Sequence, residues 1–108
     1  MKRVGELTAT EASRLLEEKR IVLIDCREEQ EWDFCYIDGS LLIPLSDFQL
    51  KSAALPQNDS HYVVYCHHGV RSLYAAQMLQ AAGYTNVSSM TGGIDSWSLT
   101  VDPSVPRY

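Results

Sequence analysis

No run of about eighteen apolar residues occurs in the 108-residue chain, so no segment offers a membrane-spanning helix. The opening stretch, Met1-Lys2-Arg3-Val4-Gly5-Glu6, lacks the apolar core of a secretory signal. The expectation is a soluble, cytoplasmic protein with no membrane partner. Basic residues are sparse as well: no cluster exceeds a pair such as Lys19-Arg20, and the formal net charge is −5. Nucleic-acid binding draws its affinity from phosphate neutralisation and needs a basic face, so that class of partner is excluded. Cysteine is scarce and odd in number, with Cys26, Cys35 and Cys66 at no compact spacing. That pattern disfavours a disulfide framework and suits free thiols in a reducing compartment. The length allows one core, hence a single domain over residues 1–108.

What is present is concentrated in one stretch, His61-Tyr62-Val63-Val64-Tyr65-Cys66-His67-His68-Gly69-Val70-Arg71-Ser72. Tyr62 to Tyr65 have the β-branched and aromatic composition of a buried strand, and a helical pattern runs from Ser72 to Gly83. Cys66 therefore falls at the carboxyl end of a strand, the edge at which open α/β sheets bind ligands. The following helix aims unpaired N–H groups and the positive end of its dipole at the thiol. Both favour thiolate, and Arg71 adds a fixed positive charge. His67, His68, Gly69 and Val70 separate the cysteine from the arginine. Gly69 can take the positive φ of a tight loop, leaving the amides from His67 to Ser72 free to form an anion-holding nest.

Along the rest of the chain, Thr8-Ala9-Thr10-Glu11 fits a capping box opening a helix to about Lys19, with Ala12, Leu15 and Leu16 as its apolar stripe. Ile21-Val22-Leu23-Ile24 is a continuous apolar run, as in a parallel strand covered on both faces, and it ends at Asp25. Ser46-Asp47-Phe48-Gln49 suggests a second capping box and a helix to about Leu55, stopped by Pro56. Leu73, Ala76, Leu79 and Ala82 would form the buried face of the helix after Cys66, with Gly83 beyond its end. Asn86 to Met90 makes a last strand. The segment from Leu99 to Tyr108, with Pro103 and Pro106, should run as an extended strap.

Three ordered motifs carry a family resemblance: Asp25-Cys26-Arg27 with Glu31-Trp32, Ile37, Gly39 and Pro44; Cys66-His67-His68-Gly69-Val70-Arg71-Ser72; and Gly92-Gly93-Ile94-Asp95-Ser96-Trp97. Together they resemble the rhodanese family of sulfurtransferases. The resemblance runs from about residue 5 to 108. It implies an α/β fold with about five mostly parallel strands and helices on both faces. It further implies a Cys66 persulfide intermediate with no other cofactor. The donor would be thiosulfate or a protein persulfide. The acceptor would be cyanide, a small thiol, a thioredoxin-like protein or a sulfur carrier. The phosphatase-like relatives of that family have a loop one residue longer, so the four-residue spacing here is the short kind. Cys35, Tyr36 and Ser40 depart from the usual glycine, histidine and alanine, and a cysteine in place of glycine would reshape the turn.

Other readings stand beside this one. A metal held by His67, His68 and Cys66 is one alternative, but adjacent residues rarely reach one tetrahedral centre and no fourth ligand is in range, so no metal is expected. As loop side chains His67 and His68 would line the pocket mouth or face solvent, attracting anions when protonated. Arg27 and Glu31 are read as an ion pair bracing the loop after the second strand. Asp25 either caps the following helix or bonds to amides near Cys66. Gly92 and Gly93 would let the backbone pass close to a neighbouring loop, with Trp97 fixing the last helical turn. Arg71 either holds an anionic donor or braces the loop. Cys26 and Cys35 are inert, or else one of them forms a disulfide with Cys66. The competing functions are a binding module that uses the shell for docking, and a phosphatase or arsenate reductase.

Overall fold

The computed structural model of the chain describes residues 4–108. Met1, Lys2 and Arg3, which the sequence reading includes in its single domain and in the segment tested for a signal, lie outside the described residues. The elements run β1 (Gly5–Leu7), α1 (Ala9–Glu17), β2 (Val22–Asp25), α2 (Glu29–Phe34), β3 (Leu41–Leu42), a 3-10 turn (Leu45–Asp47), α3 (Phe48–Ser52), β4 (Tyr62–Tyr65), α4 (Val70–Ala81), β5 (Val87–Met90) and α5 (Gly93–Thr100). The five strands form one sheet in the order β1-β5-β4-β2-β3. Every pairing is parallel.

Helices cover both faces, which is why β4 and β5 are buried at every residue and read as apolar or small rather than alternating. One face packs Ile24, Val64 and Cys66 against Phe48 of α3 and Ala75, Ala76 and Leu79 of α4. The other packs Leu23, Val63 and Tyr65 against Ala9 and Ala12 of α1 and Ile94 and Trp97 of α5. β4 thus sits in the middle of the sheet, and the loop after it opens at the centre of the carboxyl edge.

Local chemistry explains most boundaries. The Thr8 hydroxyl accepts from the Glu11 amide and the Glu11 carboxylate from the Thr8 amide, the reciprocal box expected from sequence. The helix ends earlier than expected, at Glu17, because Lys19 takes φ +58. The second expected box does not form: the Ser46 hydroxyl donates to Glu28 Oε1 at 2.7 Å instead, and α3 ends at Ser52, short of Leu55. α4 starts two residues before Ser72, and its buried face is Ser72, Ala75, Ala76 and Leu79. Leu73 is exposed, as is Ala82. Close approach to the sheet selects the small side chains, so the stripe is rotated from the one its leucines suggest. α5 extends through Thr100, so the strap begins at Val101.

Candidate active site

Cys66 lies one residue past β4 and is 1% exposed. Gly69 turns the chain at φ +107, and a Cβ there would press on the Gly92 amide nitrogen at 3.2 Å. No L residue takes that φ comfortably, so glycine is what lets the loop close over the sulfur. The amide of Gly69 donates to Cys66 Sγ at 3.1 Å and that of Ser72, in the first turn of α4, at 3.3 Å. The Ser72 hydroxyl stands 3.5 Å from the sulfur and 2.8 Å from the Ser89 hydroxyl of β5. With the sulfur ionised, Ser89 donates to Ser72 and Ser72 to the thiolate.

These donors hold the Cys66 thiol well below its ordinary range, at about 4. The thiol of Cys26 beside it acts most strongly, against the opposing effect of burial, and Ser72 and Gly69 add to it. Cys26 is pushed the other way, chiefly by hydrogen bonding to Cys66 and then by burial. The two shifts run in opposite directions, so the pair favours its proton on Cys26 and the charge on Cys66.

The far side of the loop is gripped by α5. The Ile94 amide donates to the Cys66 carbonyl at 2.8 Å and the Asp95 amide to the His67 carbonyl at 3.2 Å. A Cβ on Gly93 would run into both carbonyls, and its φ is +60. With those carbonyls committed to α5, the loop is held with two of the six expected amides, those of Gly69 and Ser72, on the sulfur. Trp97, 6% exposed and packed in the core, anchors the helix that does this.

The charged residues pair differently from the sequence expectation. Arg27 does not pair with the Glu31 carboxylate. Its guanidinium forms a fully buried bidentate pair with Asp25, Nη2 to Oδ2 at 2.7 Å and Nε to Oδ1 at 3.0 Å. It also donates to the Cys35 carbonyl and the Tyr108 hydroxyl. Asp25 therefore neither caps α2 nor reaches amides next to Cys66; it accepts from Arg27, including the Arg27 amide at 2.8 Å. Glu31 instead braces the Cys66 loop, accepting two bonds from Arg71 at 2.7 and 2.9 Å. Its carboxyl is held down at about 2 by that guanidinium first, and by the Tyr108 hydroxyl, against the effect of burial. Cys35 does not distort its turn: its φ is −163, extended backbone open to any residue.

His67 is half-buried, its ring stacked on Tyr108 with centroids 3.8 Å apart and planes 7° apart, and the His68 ring also packs against it at 3.8 Å. His68 faces solvent, 4.0 Å from Asp95. Among the described residues no three His, Cys, Asp or Glu side chains converge as metal ligands, and Cys26, Cys35 and Cys66 are all free thiols. No helix among the described residues is long and apolar enough to cross a membrane. Sequence reasoning did not single out Ser89 or Tyr108. The signal available for the Asp25–Arg27 pair was their two-residue spacing in extended chain, which puts both side chains on one face.

The parallel sheet, with a buried cysteine at the strand–loop–helix junction between β4 and α4, places the chain among α/β proteins. It belongs to the Rhodanese-like domain family, whose model matches residues 8–100. Its relatives include proteins named as sulfurtransferases. It is 38% identical over 92 residues to the probable adenylyltransferase/sulfurtransferase MoeZ of Mycobacterium tuberculosis, covering 83% of this chain but 23% of that protein. It thus spans about a quarter of that relative's length. Against the thiosulfate sulfurtransferase GlpE of Haemophilus influenzae it is 34% identical over 92 residues, covering 85% of this chain and 86% of the relative. A rhodanese-related protein from Thermoplasma volcanium superposes with a TM-score of 0.83 at 32% identity, covering 96% of this chain and 99% of the other.

Proposed function

We propose that the protein is a sulfurtransferase working by double displacement through a persulfide on Cys66. The observation that carries this reading is the Cys66 thiolate accepting amide hydrogen bonds from Gly69 and Ser72. The thiolate attacks the outer sulfur of thiosulfate or of a protein persulfide. The donor's S–S bond breaks, sulfite or a thiolate leaves with the bonding electrons, and Cys66 retains the transferred sulfur. An acceptor thiolate or cyanide then attacks that outer sulfur, and the electron pair returns to Cys66. No general base is needed, because the nucleophile is already ionised. Each amide bond to the anionic sulfur contributes on the order of 1.5–3 kcal/mol. Arg71, tied to Glu31, fixes the loop and supplies positive charge for an anionic donor; His67 and His68 flank the approach.

The acceptor in this reading is a small thiol, a thioredoxin-like protein or a sulfur carrier, in a reducing cytoplasmic compartment that keeps three free cysteines reduced. The net charge of −5 keeps nucleic acid off the list of partners. Intact mass before and after thiosulfate, and then after cyanide or dithiothreitol, tests the cycle. Wild type should gain about 32 Da, one sulfur, and lose it to the acceptor, while Cys66→Ser gains nothing. If neither thiosulfate nor a persulfide-loaded desulfurase adds sulfur to wild type, the binding-module reading replaces this one.

A further inference from the structure

In the transfer cycle the second thiol at the sheet edge only favours the Cys66 thiolate and exchanges no bond of its own. Asp25 and Tyr65 are the last matched positions of β2 and β4, and the Cys26 amide continues the ladder onto the Tyr65 carbonyl at 3.0 Å. Cys26 and Cys66 are therefore the next pair in register. They lie on one face, above Ile24 and Val64, in the same core cluster, and they are 0% and 1% exposed. Neighbouring strands sit ~4.8 Å apart, inside the ~4.4–6.8 Å range of Cα separations that a disulfide spans. Cys35 is placed differently: it packs on the opposite face, and its thiol donates to the Pro106 carbonyl at 3.5 Å.

We propose that Cys26 is a resolving thiol for Cys66: after peroxide converts Cys66 to a sulfenic acid, Cys26 captures it as an intramolecular disulfide. In the first step the Cys66 thiolate attacks one peroxide oxygen, the O–O bond breaks, and hydroxide leaves to become water. Cys66 is then neutral, and the charge that held the proton on Cys26 is gone. The Cys26 sulfur loses its proton and attacks the Cys66 sulfur. The S–S bond forms, the S–O bond breaks, and hydroxide leaves as water with that proton. Two thiols lose two electrons in all, and one peroxide becomes two waters. In-register parallel strands hold the Cβ atoms about as far apart as the Cα atoms, wider than the ~3.5–4.5 Å of a relaxed bridge. The bond is therefore strained and readily reduced by an external dithiol. Such a bridge blocks the nucleophile reversibly and spares it from irreversible sulfinic and sulfonic acids.

Trypsin separates the three cysteines into Ile21–Arg27, Glu28–Lys51 and Ser52–Arg71, so a non-reducing map is unambiguous. Purified protein is treated with hydrogen peroxide and measured by intact mass, then alkylated and peptide-mapped, with no sulfur donor present. The expected result is a loss of about 2 Da, a linked Ile21–Arg27/Ser52–Arg71 pair, and full recovery with dithiothreitol. Cys26→Ser should instead gain about two or three oxygens on Cys66 and not recover, while Cys35→Ser should behave as wild type. A bridge to Cys35, or irreversible oxidation of Cys66 in wild type with Cys26 still alkylatable, overturns the proposal. The wild-type map decides even where a variant folds poorly. Because no donor is used, failure here is distinct from failure of sulfur transfer.

Discussion

Cys26 and Cys66 occupy equivalent positions on adjacent parallel strands, yet one holds its proton and the other gives it up. Both are buried, and both follow the last residue of their strand. The difference lies in the residues that come next. After Cys66 the chain turns at Gly69 and enters α4, so two amides converge on the sulfur. After Cys26 the next amide, that of Arg27, bonds to Asp25, and the Cys26 carbonyl accepts from Leu45. Cys26 is instead held protonated, first by its hydrogen bond to Cys66 and then by burial. Reactivity here follows from the coupling of the two thiols together with the backbone that comes after each, and the backbone can be perturbed without touching either thiol.

The strongest perturbation is Gly93→Ala. Its Cβ would overlap the Cys66 and His67 carbonyls at a φ of +60, combining overpacking with backbone strain at about 3 kcal/mol or more. Urea unfolding should show that loss. Relaxation of the clash moves the carbonyls, and with them the amides, so iodoacetamide should report a higher titration midpoint for Cys66. An unchanged midpoint would mean the α5 grip does not orient the loop. Cys26→Ala comes next. Removing the neighbouring thiol should raise the Cys66 midpoint from about 4 by about one to two pH units, the worth of one hydrogen bond to a charged group. If the midpoint does not move, the amides alone make Cys66 reactive and the comparison between the two thiols loses its coupling.

Glu31→Gln is smaller and has a defined pH signature. The folded carboxyl, at about 2, lies below the ~4.3 of an unfolded glutamate. Its contribution is therefore complete above the unfolded value and is lost as pH falls through about 2. The gap in stability between wild type and Glu31→Gln, about 1–2 kcal/mol after discounting for partial exposure, should close between roughly pH 4.5 and pH 2. A gap independent of pH would show that Glu31 acts through packing rather than charge.

The sequence reading succeeds where chemistry is local. The apolar runs before Asp25 and Cys66, the Thr8 box and the glycine turn at Gly69 each depend on a few neighbouring residues, and each lies where the pattern indicates. It fails where topology decides. Glu31 and Arg71 are forty positions apart, and they meet because β2 and β4 are neighbours, which no periodicity expresses. β1 has only three residues and becomes a strand by pairing with β5, Gly5 opposite Ser88. β5 itself carries two buried serines, and Ser89 earns its place through Ser72 rather than through apolar burial. The expected face of α4 holds at Ala76 and Leu79 but not at Leu73 and Ala82, where the sheet instead takes the small Ser72 and Ala75.

Tyr108 gives the mildest test of what braces the loop. Its hydroxyl accepts from Arg27 at 2.8 Å and donates to Glu31 at 2.7 Å, so it links the buried Asp25–Arg27 pair to the Glu31–Arg71 pair. Its ring covers His67. Tyr108→Phe keeps the stacking surface and removes both hydrogen bonds. Because the residue is 43% exposed, water can replace them, and the expected loss is about 0.5–1 kcal/mol by urea unfolding. The Cys66 midpoint should stay near its wild-type value, since Arg71 keeps both bonds to Glu31. Tyr108→Ala also uncovers His67, so a change in alkylation rate confined to that variant would assign the strap's influence on Cys66 to the ring. The same rate change in Tyr108→Phe would assign it to the hydroxyl, and would mean that the charge network reaches the sulfur more directly than the amides and Cys26 allow.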